Sequence, residues 1–319
     1  MENNISSTEK ADSQTLLNQI VIEYMREQKR KRRWRWVMRG IIFLFIISLV
    51  YQLFSYGEEN KAQRIKPHAG LIDVNGTIFD ADSSGAENFA KGLQSAYKSA
   101  GLRALILRIN SPGGSPVQAD YMYNTLQYYR SKYPHIKTYA VCVDMCASAA
   151  YYVAAGAEEV YANPSSIVGS IGVVYNGFGF VDTIQKLGIT RRLQTAGKNK
   201  GFLDPFSPES PEQVQLLQTM LNIIHQQFIN KVKEGRGNRL KIDDDTFSGL
   251  FWTGEQAKER GLIDGFASGG QIAREMVQVD RVIDYTYKQS VLERFSKGLG
   301  TAIADQLPLA LGLKPGIKE

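Results

Sequence analysis

Histidine is nearly absent from this chain: His68, His135 and His225 are the only three in 319 residues. Cysteine is scarcer still, and no grouping of His, Cys, Asp or Glu has metal-ligand spacing, so no metal site is expected. Cys142 and Cys146 stand four apart across the end of an apolar stretch, a poor arrangement for a disulfide, and read as free buried thiols. No glycine-rich loop leads into a Lys-Ser or Lys-Thr pair, which excludes the usual phosphate cradle. No internal repeat is visible, and no cofactor is expected. Net charge is also low beyond the first forty residues. Of the net +6, residues 1–40 hold nine Lys/Arg against five Asp/Glu, which leaves +2 for the remainder. That balance argues against a nucleic-acid partner for the main domain and confines the basicity to one end.

The basic end runs into a long apolar stretch. Lys29-Arg30-Lys31-Arg32-Arg33-Trp34-Arg35-Trp36 precedes Val37 to Tyr56, close to the ~20 residues that cross hydrocarbon, with Arg39 near enough to the end to snorkel. Trp34, Trp36, Tyr51 and Tyr56 suit two membrane interfaces. Nearly forty residues lie ahead of the run and no Ala-x-Ala-like site follows it. It therefore reads as a retained transmembrane signal anchor rather than a cleaved signal peptide. The expected organisation is a cytoplasmic basic tail over 1–36, a single pass through the bilayer over 37–56, and a tether over 57–67. A catalytic domain over 68–284 follows on the extracytoplasmic face, and a C-terminal amphipathic assembly segment over 285–319 closes the chain.

Residues 68–284 alternate strand, glycine-rich turn and helix. Ala69 to Ile78, Leu105 to Asn110, Thr138 to Val143, Glu159 to Ala162 and Ile167 to Val174 read as strands, and Ala86 to Ala100 reads as a helix. A long helix is expected from Ser207 to Lys233, its core face formed by Val214, Leu217, Leu221, Ile224 and Phe228. Such alternation predicts an α/β fold: a mainly parallel sheet with flanking helices.

The most informative window is Asp144-Met145-Cys146-Ala147-Ser148-Ala149-Ala150-Tyr151-Tyr152. Ser148 falls where a buried strand passes into an Ala-rich helix, in the field of unpaired backbone N–H groups. Two readings fit: an N-cap, or a nucleophile at which developing negative charge is stabilised. Upstream, Asn110-Ser111-Pro112-Gly113-Gly114-Ser115 is a strand end that turns through two glycines, which permits close backbone approach. Downstream lie Val168-Gly169-Ser170-Ile171-Gly172-Val173 and Gly197-Lys198-Asn199-Lys200.

Together these four segments resemble the signal peptide peptidase A family, in its short, unduplicated form. Its members are membrane-bound serine proteases with a Ser/Lys dyad and a sheet core like those of the Clp protease and the crotonases. The resemblance covers roughly Ala69 to Ala267. It implies Ser148 as nucleophile, Lys200 as general base and Ser170 as the hydroxyl that positions the lysine. The backbone N–H groups of Gly114 and Ala149 would form the oxyanion hole. An extended substrate would pair with the backbone at Gly113 and Ser115 on one side and Ile171, Gly172 and Val173 on the other.

The residue inventory agrees with that chemistry. A serine hydroxyl needs an adjacent base, and Clp-type enzymes carry a histidine about one helix after the serine, yet Ile136 to Ile224 contain none. A lysine serves instead where burial strips its charge, against an ordinary pKa of about 10.4. Lys198 competes with Lys200, since residues two apart share a face of an extended strand. The expected activity is hydrolysis of extended peptides, such as cleaved signal peptides or membrane-protein fragments, by a membrane-anchored endopeptidase of the inner membrane. The family assembles into rings, so a ring-like homo-oligomer is the expected partner state. The alternatives are a non-catalytic membrane scaffold of the same fold and, more remotely, acyl-CoA chemistry.

Overall fold

The computed structural model describes residues 25–48, 64–80 and 84–288. By its contacts the chain divides into two units, Met1–Gln63 and Arg64–Glu319. In the first unit residues 25–48 (α1) are helical.

Among the described residues no helix is long and apolar enough to cross a membrane. This corrects the span expected over 37–56, and with it the signal anchor, the bilayer as partner, the membrane-anchored form of the enzyme and the inner-membrane location. The basic block continues into the helix that carries the apolar run. Past Arg39 only nine uncharged residues, 40–48, are described, well short of the ~20 a crossing takes. Residues 49–56 lie outside the described residues. So do most of the expected tail and tether, and the apolar C-terminal stripe from Val291 onward.

In the second unit, alternating side chains on three parallel strands build a core on each face of one sheet. The strands are β1 (His68–Asn75), β2 (Leu102–Ser111) and β3 (Lys137–Ala147). Successive strand residues point to opposite faces. Ile72 and Val74 of β1, Leu105, Leu107 and Ile109 of β2, and Ala140 and Cys142 of β3 enter the larger core. Their neighbours Ala69, Ala104, Ile106, Tyr139 and Val141 enter a smaller core on the other face. Apolar residues at nearly every position are what a sheet covered on both sides requires, and they leave little simple alternation in the sequence.

The larger core is closed by α2 (Ala86–Tyr97), α3 (Pro116–Lys132) and α4 (Ala149–Ala154). Ser115 caps α3, with Pro116 at its first turn, and the Gln118 side chain of α3 accepts a hydrogen bond from the first N–H of α2 at 2.8 Å. β4 (Glu159–Ala162) adds to β3 in parallel. β5 (Ile167–Gly169) pairs with the far end of β3, and the short α5 (Val181–Lys186) follows. The long α6 (Pro211–Arg236) then leads to β6 (Phe251–Thr253), which pairs antiparallel to β5 and makes the sheet mixed. Thr253 caps α7 (Gly254–Glu259) in a reciprocal capping box with Gln256. β7 (Gly265–Phe266) extends β4. After α8 (Gly269–Gln271) and the π-helical turn Ile272–Met276, β8 (Val282–Asp284) returns beside β1. The strand path is β6-β5-β3-β2-β1-β8.

Two expectations change. β5 ends at Gly169 rather than at Val174, because Gly169 and Ser170 both take positive φ (109° and 52°) and the Gly172 N–H turns back to the Ser170 carbonyl at 2.9 Å. The core face expected for the long helix holds only near its end. Phe228 and Val232 are buried, whereas Val214 is 39% exposed, so the first half of α6 lacks cover in the isolated chain.

Candidate active site

A bulge in β3 sets up the site. Cys142 pairs with Ile109, but the next partners are Cys146 and Ser111, so four steps on β3 oppose two on β2 and residues 143–145 bow out. Asn110 holds the bow: its amide donates to Asp144 Oδ2 at 2.8 Å, and its carbonyl oxygen accepts from Met145 N at 3.1 Å. From the β5 side, Ser166 Oγ donates to the carbonyls of Cys142 and Val143. Both cysteines are buried and free. Burial pushes the Cys146 thiol well above its ordinary value, aided by a hydrogen bond with Cys142.

β3 then delivers Ser148 to the head of α4 in a strained conformation, φ 55° and ψ −126°. A serine pays for positive φ only where surrounding structure imposes it. Here the Ser148 N–H is tied to the Gly169 carbonyl at 2.8 Å. Its side chain makes no capping hydrogen bond, which removes the N-cap reading. The helix behind it is anchored by Tyr151, whose hydroxyl donates to Leu262 O at 2.7 Å, and by Tyr152, whose hydroxyl donates to Asp120 at 2.8 Å. Burial raises the pKa of both phenols, so they act as fixed donors.

Two glycines bring a second backbone against Ser148. A Cβ on Gly113 (φ 109°) would stand 2.7 Å from Ser148 Cβ and 3.1 Å from Ala149 N. One on Gly114 (φ 152°) would stand 2.4 Å from the Ile78 carbonyl oxygen. Ile78 takes the Gly113 carbonyl with its N–H (2.9 Å) and gives its own carbonyl to Ser115 N–H (2.8 Å). The substrate-pairing groups expected at Gly113 and Ser115 are thus engaged by the chain itself. The Gly114 N–H is not used in this bridge and, by strand alternation, faces the other way.

Across the β3–β5 pair, Ala147 is in register with Gly169, so Ser170 directly follows the residue that holds the Ser148 N–H. Its own N–H is fixed to Leu250 O at 2.8 Å. Ser148, Ser170, Ala149, Gly113 and Gly114 are therefore brought together. Lys200 is not: it is exposed, on a stretch without one buried residue from Gly172 to Gln227, and its side chain makes no hydrogen bond or ion pair among the described residues. Lys198 is engaged, its ammonium 3.3 Å from Glu212. No group of three or more metal-binding side chains occurs among the described residues. Asn110 and Ser166 escape a sequence reading because an isolated polar residue at a strand end gives no pattern; His225 reads from sequence only as a surface or interface residue of the long helix.

An α/β sheet whose central strand ends in a strained, uncapped serine at a helix head has the layout of a Clp-like hydrolase, and the Clp protease family model matches residues 75–168. The model described as Peptidase family S49 matches residues 130–282. A putative protease of Methanocaldococcus jannaschii is 30% identical over 222 residues, covering 70% of each chain. A putative signal peptide peptidase SppA of Enterococcus faecium is 26% identical over 245 residues, 73% of this chain and 71% of that one. The chain belongs to peptidase family S49, the signal peptide peptidase family of serine endopeptidases. It also matches a Na(+)/H(+) antiporter NhaA of Brucella melitensis at 44% identity over 196 residues, 61% of this chain, and spans about a quarter (26%) of that protein's length.

Gly114→Ala tests the close approach. A methyl group there meets the Ile78 backbone, which cannot swing aside as a flexible side chain would, so the Gly114 N–H must move. The resemblance implies that this N–H is an oxyanion donor, and displacing such a donor costs on the order of 10²-fold in kcat. Steady-state peptide hydrolysis should register that loss; unchanged kcat would remove Gly114 from the site.

Proposed function

We propose that the chain is a serine endopeptidase of extended peptides, with Ser148 as nucleophile and Lys200 as general base. The observation that carries this reading is the Ser148 geometry: a strained backbone held by Gly169 and a hydroxyl that caps nothing. Ser148 Oγ attacks the peptide carbonyl while Lys200 takes its proton and passes it to the leaving amine. Water then hydrolyses the acyl-enzyme by the same route. The N–H groups of Gly114 and Ala149 receive the oxyanion, and Ser170 orients the lysine. The engagement of Lys198 with Glu212 favours Lys200 over its neighbour.

A lysine works as a base only where water is withheld from it. In the single chain Lys200 is exposed, and its stretch presents Val174 (85% exposed), Phe178 (75%) and Leu187 (68%) to solvent. That much apolar surface on one segment favours assembly. The working enzyme is accordingly a homo-oligomer, ring-like as the family resemblance implies, in which a second copy covers this segment and Lys200 of one protomer meets Ser148 of the next.

Lys200→Ala is expected to abolish peptide turnover with assembly intact. Mixing inactive Ser148→Ala chains with inactive Lys200→Ala chains should restore part of the activity, because a mixed interface then holds one intact pair. No recovery after verified co-assembly would refute the shared dyad, and full activity of Lys200→Ala alone would remove the lysine from the mechanism. Labelling of the unmodified protein by a serine-reactive phosphonate at Ser148 separates this reading from a non-catalytic scaffold.

A further inference from the structure

The segment that carries Lys200 has a neck. The chain leaves the sheet after β5, and α6 brings it back. The two ends meet where His225 Nε2 donates to the Ile171 carbonyl at 2.9 Å, a bond between residues 54 apart in sequence. From Gly172 to Gln227 no residue is buried. Below the neck α6 is fixed to the body. Phe228, one turn after His225, stacks on Tyr152 of α4 at 4.9 Å between ring centroids. Gly235 lies so close to Ala155, just past the end of α4, that a Cβ would clash with its carbonyl oxygen. Arg236 is buried against Asp264. His225 thus sits where the fixed half of α6 gives way to the uncovered half.

Its acceptor is equally well placed. Ile171 is buried and directly follows Ser170, whose positive-φ turn is held by Leu250 O on one side and by the short return from Gly172 N–H to its own carbonyl. The His225 bond closes this turn from the α6 side. With Nε2 spent on a backbone carbonyl, the ring is not a stand-in for a triad histidine.

We propose that His225 is a positioning residue: its hydrogen bond to Ile171 pins the neck of the arm and so sets where Lys200 is presented and how the Ser170 turn is held. The proposal rests on the reading of Lys200 as base. A neck fixed at one point lets an exposed arm keep a defined exit direction, and a general base misplaced by about an ångström costs on the order of 10²-fold in rate.

The test uses the full chain with His225→Phe, which keeps the ring and removes the donor, and His225→Gln, which returns an N–H at similar reach. His225→Phe should lower kcat at least tenfold with KM moving less than threefold, and His225→Gln should bring kcat back to within about threefold of the parent. Wild-type kcat in the Phe variant, or no recovery with Gln, overturns the proposal. Limited trypsin digestion gives a readout besides activity: cleavage after Lys186, Arg191, Lys198 or Lys200 should accelerate in the Phe variant, and an unchanged rate also overturns it. Should the Phe variant not fold, His225→Asn, which is too short to reach the carbonyl, takes its place in both assays. If Lys200→Ala remains fully active, the reading of the base fails while the digestion still reports on the neck, so the two failures are distinguishable.

Discussion

Replacing Ser148 by alanine should lower peptide hydrolysis by on the order of 10⁴-fold or more, the scale seen when a nucleophile acting with its base is removed. The same substitution should leave thermal stability nearly unchanged. A serine that capped α4 would cost about 1 kcal/mol on replacement, because an N–H in the first turn would lose its partner. Here the hydroxyl makes no such bond, and what holds the turn is the Ser148 N–H to the Gly169 carbonyl, which alanine keeps. Stability and activity therefore separate the two roles a serine can play before a helix. Turnover measured with a fluorogenic peptide, beside the melting temperature of the same preparation, reads both. A stable variant at full activity would remove Ser148 from the chemistry.

Arg236→Ala should destabilise the second unit by about 3 kcal/mol, the lower end of the range for breaking a buried ion pair, since the Asp264 side chain keeps 16% exposure. The Arg236 side chain has no exposure. It donates from Nη1 and Nη2 to the two oxygens of Asp264 at 2.8 and 3.0 Å and from Nε to the Gly261 carbonyl at 2.9 Å. Asp264 also receives the Val160 N–H at 2.7 Å and Arg239 at 3.2 Å. This cluster ties the end of α6 to β4 and to the chain entering β7. Truncating Arg236 leaves the carboxylate short of its main partner and the Gly261 carbonyl without its donor. Burial would raise the Asp264 carboxyl, but the hydrogen bonds from Arg236 and Val160 and the charges of Arg236 and Arg239 bring it below the ordinary carboxylate value.

A carboxyl whose pKa is lower folded than unfolded adds stability that is present above the unfolded value, about 3.9, and is lost as pH falls through the folded one. The gap between parent and Arg236→Ala in chemical unfolding should therefore be widest near neutrality and narrow below about pH 4. A gap that stays constant down to pH 3 would mean that the cluster stabilises by packing rather than by charge.

The sheet was readable because the apolar strands and the turns between them are local signals. Residues 105–109 and 138–143 contain little but apolar and small side chains, as strands covered on both faces must. The capping box of Thr253 with Gln256, three residues on, is a local feature of the same kind. The Pro-Gly-Gly turn announced a close approach, and it was found against both Ser148 and Ile78. The run from Ile167 to Val174 misled for a physical reason: its β-branched residues favour a strand, yet Gly169 and Ser170 leave the extended region and end it. The apolar run from Val37 misled as well, because past Arg39 the described helix carries only nine uncharged residues, well short of a crossing.

Sequence alone determined the two-faced α/β sheet, the serine at the head of a helix and the scarcity of imidazole. Each is a matter of residue type or short-range order. Tertiary structure decided the rest: that Gly169, next to Ser170, holds the Ser148 N–H across β3 and β5, that Ile78 occupies the edge of the Gly113–Ser115 turn, and that Lys200 rides on an arm held at His225. Those relations join residues from 21 to 54 positions apart through hydrogen bonds to backbone carbonyls, and no local pattern of side chains encodes which carbonyl a distant donor will find.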